Sequence, residues 1–232
     1  IFLLKKKKNY LINKKNSFFY GWLFGFGYFF TNLYWISISL TFDINFKFLI
    51  PITIILIPAF LAIFYGLVTF LLFILNFKKT LSLFFLFALL LGLVEFLRGI
   101  ILTGFPWNLI AFSFFDYIEI LQIISVIGTY AFNMFCISLF ISPAVFILKK
   151  SPREIIIFIF FLITSIILYL NGFLKVKNFQ NLELTQNNYI IRVISSNIKL
   201  ERFYGEVETI PVLDELIELS NPNDSGKTIF IF

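Results

Sequence analysis

Five apolar runs, each of a length that can cross a lipid bilayer, fill most of the first 172 residues of this chain. A spanning helix needs roughly 20 mostly apolar residues to cross a hydrocarbon core about 30 Å thick. Because the backbone must satisfy its own polar groups in lipid, such runs predict a polytopic α-helical membrane domain over residues 1–172. The fourth run is too long for one straight span, and it is expected to bend or end at Gly128 or Pro143. The runs cover residues 18–40, 48–77, 81–103, 118–148 and 155–172.

The composition restricts the chemistry that the chain can carry. Hydrophobic residues make up 59% of it and aromatic residues 21%, which excludes a soluble domain of this size. There is one cysteine, Cys136, and no histidine, so no internal disulfide and no cysteine or histidine metal site is predicted, and no cofactor is expected. Cys136 falls in the middle of the fourth run, where a small buried apolar role is expected and a thiolate is disfavoured.

Basic residues alternate between rich and poor loops, and this pattern predicts the orientation. Six lysines precede the first run, Lys78 and Lys79 follow the second, and three basic residues lie at 149–153, whereas the loop at 104–117 has none. By the positive-inside rule the basic loops are cytoplasmic, so the loop at 104–117 and everything after residue 172 face outward. The basic excess belongs to these membrane loops and forms no basic patch on a folded surface. Nucleic acid is therefore not a predicted partner.

The composition becomes more polar after residue 172. Residues 173–188 are rich in Gln, Asn and Lys, which is typical of a linker. Residues 189–198 are rich in β-branched side chains and predict a strand, residues 206–219 have apolar side chains at helical spacing, and residues 228–232 predict a second strand. Strand, helix and strand in this order predict one βαβ unit with a parallel pair of strands over residues 189–232.

Two opposite charges interrupt the third apolar run shortly before a turn. The segment E-F-L-R-G-I-I-L-T-G-F-P-W-N begins at Glu95 and ends at Asn108. Glu95 and Arg98 share a helix face at a spacing of three, and a charge at the centre of a spanning helix costs about 2.5–3.5 kcal/mol on insertion scales. Such residues are usually paired, inward-facing or functional. The alternative is that both lie near the helix end, where Arg98 reaches the membrane interface by snorkelling.

Four segments of the chain resemble the apolipoprotein N-acyltransferase family. The resemblance implies an enzyme of the bacterial inner membrane that transfers an acyl chain from a phospholipid donor to the N-terminal amine of an apolipoprotein acceptor. It also implies that the helical membrane domain is followed by a periplasmic α/β nitrilase-like domain, an αββα sandwich whose first βαβ unit would be residues 189–232. The segments are G-W-L-F-G-F-G at 21–27, Y-W-I at 34–36, E-F-L-R-G at 95–99 and T-G-F-P-W-N at 103–108.

The resemblance implies substrate-binding roles for the two charges, the turn and an aromatic residue after the first strand. The family's catalytic Glu, Lys and Cys would lie beyond Phe232, so no catalytic residue is expected here. The chain reads as truncated at both ends and is predicted to be inactive alone. A tyrosine replaces the family's tryptophan after the first strand. The implied substrate-binding residues are Glu95, Arg98, Gly104, Phe105, Pro106, Trp107, Asn108 and Tyr204.

Other interpretations of the same residues stay open at this point. Phe105 and Trp107 could serve as interfacial anchors, because aromatic residues are enriched at both membrane faces. The whole chain could belong to a non-enzymatic membrane protein, a transporter or scaffold with a small outer binding module. No inverted repeat or pair of broken helices supports a transporter. A degenerate family member that binds lipoprotein without acylating it is a third interpretation.

Overall fold

The structure is a computed structural model that divides into two compact units, Ile1–Gln180 and Asn181–Phe232. Each unit is described by itself. The described residues are 14–76, 79–101, 104–148, 152–181, 189–194, 209–221 and 227–231.

Helices form nearly all of the described part of the first unit. Three 3₁₀ helices, Tyr34–Thr41, Ile44–Leu49 and Ile110–Phe114, lie between the α-helices. The α-helices are α1 (Lys14–Asn32), α2 (Ile50–Leu75), α3 (Thr80–Ile100), α4 (Ile118–Leu121), α5 (Ile124–Ile127), α6 (Thr129–Leu148) and α7 (Pro152–Gln180).

Three of the five predicted runs contain helical segments long and apolar enough to cross a membrane, judged over the described residues. These segments are Ile44–Leu75, Thr80–Ile100 and Ile155–Gln180. The first run forms α1, whose three glycines and polar ends make it less apolar than the other helices. The fold therefore confirms a helical membrane domain, and three candidate spans lie among the described residues.

The fourth apolar run is divided at Gly128, one of the two predicted positions. Gly128 has φ +78°, a left-handed conformation that a residue without a Cβ adopts at little cost. Two single-turn helices, α4 and α5, precede it, and α6 begins at the next residue. Pro143 lies inside α6, which does not end there.

Helices α1 and α2 run antiparallel and pack closely together. At one end, Ser17 Oγ donates a hydrogen bond to Thr69 O at 2.8 Å, and Thr69 Oγ1 donates to Ser17 O at 2.8 Å. Towards the other end, a Cβ built on Gly25 would lie 2.8 Å from the Tyr65 Cβ, so only glycine permits this approach. The core continues from this pair onto α3 and α6 through Leu91, Val94 and Ile137.

The last helix of the first unit extends into the predicted linker. The sequence assigns residues 173–188 to a linker, but α7 continues to Gln180. Residues 173–180 are therefore helical, which corrects that part of the prediction. Residues 182–188 lie outside the described part of the chain.

The second unit has the predicted order of strand, helix and strand. Strand β1 (Tyr189–Val193) pairs in parallel with β2 (Lys227–Ile231), and α8 (Thr209–Ser220) lies between them in the chain. The register places Tyr189 opposite Lys227 and Val193 opposite Ile231. Arg192 Nη1 donates to the carbonyl oxygens of Ser220, at 2.6 Å, and Asn221, at 3.0 Å. This contact holds β1 against the end of α8, where carbonyl groups lack helical partners.

Candidate functional site

Glu95 and Arg98 lie in the last two turns of α3 and both point into the protein. Glu95 is 0% exposed and Arg98 is 1% exposed. The interpretation in which Arg98 snorkels to the membrane interface is therefore wrong. Their spacing of three places both side chains on the helix face that packs against the other helices.

Glu95 is held by neutral donors from two other helices. Tyr65 Oη, from α2, donates a hydrogen bond to Glu95 Oε1 at 2.7 Å. Asn133 Nδ2, from α6, donates to Glu95 Oε2. The Asn133 Oδ1 in turn accepts from the Ala111 backbone N–H at 2.9 Å. This buried polar network, formed by Tyr65, Glu95, Asn133 and the Ala111 amide, connects three helices to the segment after the turn.

Arg98 has fewer of its hydrogen-bonding groups paired than Glu95. Its Nη1 donates to the Trp107 carbonyl oxygen at 2.9 Å, and its Cζ lies 5.1 Å from the Phe29 ring centroid and 5.7 Å from that of Phe105. Nε and Nη2 are buried without a hydrogen-bond partner in the described structure. A cation–π contact supplies up to about 2 kcal/mol when desolvated, whereas a buried charge left without its partner costs about 3–5 kcal/mol. The aromatic rings therefore offset only part of the cost of burying this guanidinium.

The turn after α3 is anchored on both sides. Phe105 N donates to Arg98 O at 2.8 Å, which folds the chain back onto the end of the helix. Gly104 has φ +75°, and a Cβ there would lie 2.6 Å from Gly99 O, so this position requires glycine. Tyr28 Oη, from α1, donates to Asn108 O at 3.0 Å. The turn therefore has a defined backbone path next to Arg98.

A cavity of about 510 Å³ opens beside the turn. Its volume is within the range typical of small-molecule sites. Apolar side chains from the first half of α2 form most of its wall, and Arg98 supplies the charged group in the wall. The lining residues are Ile36, Leu56, Ile57, Phe60, Leu61, Phe64, Arg98, Ile101, Gly104 and Phe105.

The structure brings together part of the predicted set of site residues. Arg98, Gly104 and Phe105 line the cavity, while Glu95 lies in the buried polar network. Trp107 contributes its carbonyl oxygen to Arg98, but its ring is 56% exposed and packs edge-on against Trp35, with 6.2 Å between the ring centroids. Exposed Pro106 and half-buried Asn108 complete the turn. The remaining predicted residue, Tyr204, lies outside the described residues.

Sequence reasoning missed the side chains that hold the two charges. Tyr65 and Asn133 bind Glu95, Tyr28 binds the turn, and Phe29 packs against Arg98. Asn133 had a usable signal, because an amide in the middle of an apolar run is costly unless it has a partner inside the protein. Tyr28, Phe29 and Tyr65 do not differ in sequence from the other aromatic residues of this chain.

Cys136 has the buried apolar position expected of it. It lies in α6 in a cluster with Leu109, Ala111 and Phe132. Among the described residues, no group of three or more His, Cys, Asp and Glu side chains could hold a metal ion.

These features define a helical membrane domain that contains a buried polar network, a turn with a fixed backbone path, and an apolar cavity whose wall includes Arg98. The sequence model of the apolipoprotein N-acyltransferase N-terminal domain matches residues 1–141. The chain belongs to this family.

Similar proteins in several bacteria carry the same family name. A protein named apolipoprotein N-acyltransferase from Rhodopseudomonas palustris is 41% identical over 131 residues, which are 55% of this chain and 24% of that protein. The protein of that name from Rhizobium etli is 38% identical over 138 residues, 59% of this chain and 26% of the relative. The chain thus matches about a quarter of the length of these relatives. No solved structure matched it.

Proposed function

We propose that this chain is the membrane part, with the beginning of the outer domain, of an enzyme that N-acylates lipoproteins. The acyl chain comes from a phospholipid, and the acceptor is the N-terminal amine of a diacylglyceryl-cysteine apolipoprotein. Transfer through a cysteine thioester divides a difficult reaction into two easier steps. The family membership and the names of the relatives support this proposal.

The single observation that carries the proposal is the cavity beside the turn at Gly104 and Phe105. A long alkyl chain needs an apolar groove, and the α2 side chains supply one. The acyl group must also be presented at a fixed place, and the turn is fixed by contacts from α1 and α3. A site with these two properties suits a membrane lipid better than a water-soluble substrate.

The proposal assigns the catalytic chemistry to a nitrilase-like outer domain that begins with β1, α8 and β2. The family's Glu, Lys and Cys would act there, and Cys136 would take no part. Burial among Leu109, Ala111 and Phe132 keeps the Cys136 sulfur away from both substrates. We therefore expect the 232-residue chain to form no N-acyl product from phospholipid and a diacylated lipopeptide. Product that disappears in Cys136→Ala would make this cysteine a nucleophile and contradict the proposal.

Complementation tests the function directly. The open reading frame that carries this sequence would be expressed in a bacterial strain depleted of its own apolipoprotein N-acyltransferase. We expect growth together with triacylated lipoprotein, detected by mass spectrometry of its N-terminal peptide. Absence of growth at a normal protein level, with diacylated lipoprotein accumulating, would instead support a transporter, a scaffold or a binding protein without enzymatic activity.

We further propose that the protein lies in the bacterial inner membrane with the turn and the second unit on the periplasmic side. The positive-inside rule supports this orientation, because Lys78 and Lys79 precede α3 and the loop at 104–117 after it contains no basic residue. Cysteines at exposed Ser113 and Asn178 should react with an impermeant maleimide added to intact spheroplasts. A cysteine at exposed Lys79 should not react. Labelling of the cysteine at position 79 alone would show the opposite orientation and contradict this proposal.

A further inference from the structure

The guanidinium of Arg98 keeps one complete edge without a partner in the described structure. Nη1 is used by the Trp107 carbonyl oxygen, whereas Nε and Nη2 make no hydrogen bond. Nε and Nη2 are adjacent and their N–H bonds are parallel, so together they form a two-pronged donor. This edge matches two oxygens of a phosphate or a carboxylate.

We propose that Arg98 is the binding site for the phosphate diester of a phospholipid whose acyl chain occupies the adjoining cavity. Arg98 is 1% exposed and forms part of the cavity wall, so its charge is close to any occupant. The rest of the wall is mainly apolar, which suits an alkyl chain attached to the phosphate and does not suit free phosphate in water. The two features together select a ligand with one anionic group next to a hydrocarbon chain.

Phosphate can reach this edge only if a neighbouring side chain moves, and we assign that movement to Phe105. Both unpartnered nitrogens are buried, and the Phe105 ring centroid lies 5.7 Å from Arg98 Cζ. Phe105 also lines the cavity and follows Gly104 in the turn. A displacement of this ring would let phosphate oxygens approach Nε and Nη2 while the bond from Nη1 to the Trp107 carbonyl oxygen is kept.

This inference rests on the proposed function and adds a distinction between its two lipid substrates. The phospholipid donor carries a phosphate, whereas the diacylglyceryl group of the apolipoprotein acceptor does not. Arg98 therefore belongs to the donor site, and it recognises the donor by the group that is left on the lysophospholipid after the acyl chain is transferred. The acceptor gains nothing from this cation.

Lipid binding to the purified 232-residue chain tests the inference without any acyl transfer. Delipidated protein in detergent would be titrated with phosphatidylethanolamine, with a diacylglycerol of the same chains, and with inorganic phosphate, and bound lipid would be counted by native mass spectrometry. We expect one saturable phospholipid, with diacylglycerol binding at least about tenfold weaker, because a hydrogen bond to a charged group is worth that much or more. Inorganic phosphate should not displace the lipid at millimolar concentration.

Three variants separate the charge from the cavity. Arg98→Gln should weaken phospholipid binding about tenfold or more and bring it close to that of diacylglycerol. Leu56→Trp keeps Arg98 and fills the cavity, so it should weaken both lipids. Ile63→Trp adds the same bulk to α2 outside the cavity lining and should bind both lipids like the unmodified chain.

Two results would overturn the inference. The first is equal binding of phospholipid and diacylglycerol to the unmodified chain. The second is phospholipid binding that survives both Arg98→Gln and Leu56→Trp, or that inorganic phosphate displaces completely. These results do not depend on complementation: a reading frame that fails to restore growth while its chain still binds phospholipid through Arg98 contradicts the proposed function alone.

Discussion

Two regions of the first unit bury polar groups in different ways. The seam between α1 and α2, defined by Ser17, Gly21, Gly25, Ala62 and Thr69, pairs its hydroxyl groups with backbone carbonyls across the contact, at 2.8 Å in both directions. The cavity end, defined by Tyr65, Glu95, Arg98 and Asn133, buries two charged side chains and leaves two donors of Arg98 without a partner.

The difference separates polar groups that hold helices together from polar groups that we propose bind a ligand. In the seam these hydrogen bonds join neutral groups, and small residues let the backbones approach, as is usual for helix pairs in membranes. At the cavity end the charges are expensive to bury, and no hydrogen bond joins them in the described structure: Glu95 accepts from Tyr65 and Asn133, while Arg98 donates to the Trp107 carbonyl oxygen. An arrangement that costs stability in this way is expected at a functional site.

The largest effect is expected for Glu95→Ala. The substitution leaves Tyr65 Oη and Asn133 Nδ2 without their acceptor and removes the carboxylate nearest to Arg98. Breaking a buried charged arrangement by deleting one member costs about 3–5 kcal/mol. We therefore expect the free energy of unfolding in mixed micelles to fall by this amount. Asp116→Ala removes an exposed carboxylate and should change it by less than about 0.5 kcal/mol. Equal losses in the two variants would show that the network adds no stability.

Tyr65→Phe tests one arm of the same network. It keeps the ring that packs on Phe29 and removes only the hydroxyl that donates to Glu95. A hydrogen bond to a charged group is worth about 1.5–3 kcal/mol, and we expect a loss in that range from the same unfolding measurement. Tyr20→Phe is the matched control, because Tyr20 lies on an exposed face of α1. A loss as small as that of the control would mean that Asn133 alone satisfies Glu95.

The extents of the helices could largely be predicted from the sequence, and little of the cavity end could be. Helices α2 and α3 follow their apolar runs, and the division at Gly128 follows from the length of the fourth run and from glycine itself. These features depend on neighbouring residues. The contacts of Glu95 with Tyr65 and Asn133 join residues 30 and 38 positions apart, and no local pattern determines which aromatic residue or amide meets a given carboxylate.

The inward-facing position of the two charges was predictable, but their partners were not. A glutamate and an arginine in an apolar run are conspicuous, and their spacing places them on one face. The sequence did not indicate that Arg98 would bind the Trp107 carbonyl oxygen, because that contact depends on how the turn folds back through Phe105 N.

Gly25→Ala should damage the seam by an intermediate amount. The new methyl group would lie 2.8 Å from the Tyr65 Cβ and 3.1 Å from the Ala62 Cα, so α1 and α2 must separate. Overpacking of this kind typically costs about 1–3 kcal/mol. Gly27→Ala is the matched control in the same helix, since a Cβ there meets nothing within 4 Å, and alanine should be neutral or stabilising by up to about 1 kcal/mol. Identical losses in both variants would refute close packing as the role of Gly25.

Thr69→Val should have the smallest effect of the four. Valine keeps the shape of the threonine and removes the hydroxyl that donates to Ser17 O, while Ser17 Oγ can still donate to Thr69 O. The Ser17 carbonyl oxygen has two acceptor sites and belongs to a helix backbone. It therefore loses one hydrogen bond and keeps the acceptor site that serves the helix. Hydrogen bonds between membrane helices contribute about 0.6 kcal/mol on average, and we expect a loss of this size.

Thr31→Val is the control for Thr69→Val, because the Thr31 hydroxyl donates within its own helix, to Gly27 O at 3.0 Å, and is exposed. It should leave the free energy of unfolding unchanged within about 0.3 kcal/mol. A loss above about 2 kcal/mol for Thr69→Val would place the seam on the same energetic scale as the cavity end. In that case, the energy of buried polar groups would not distinguish a helix contact from a ligand site in this protein. The unpartnered donors Nε and Nη2 of Arg98 would then be the remaining difference between the seam and the cavity end.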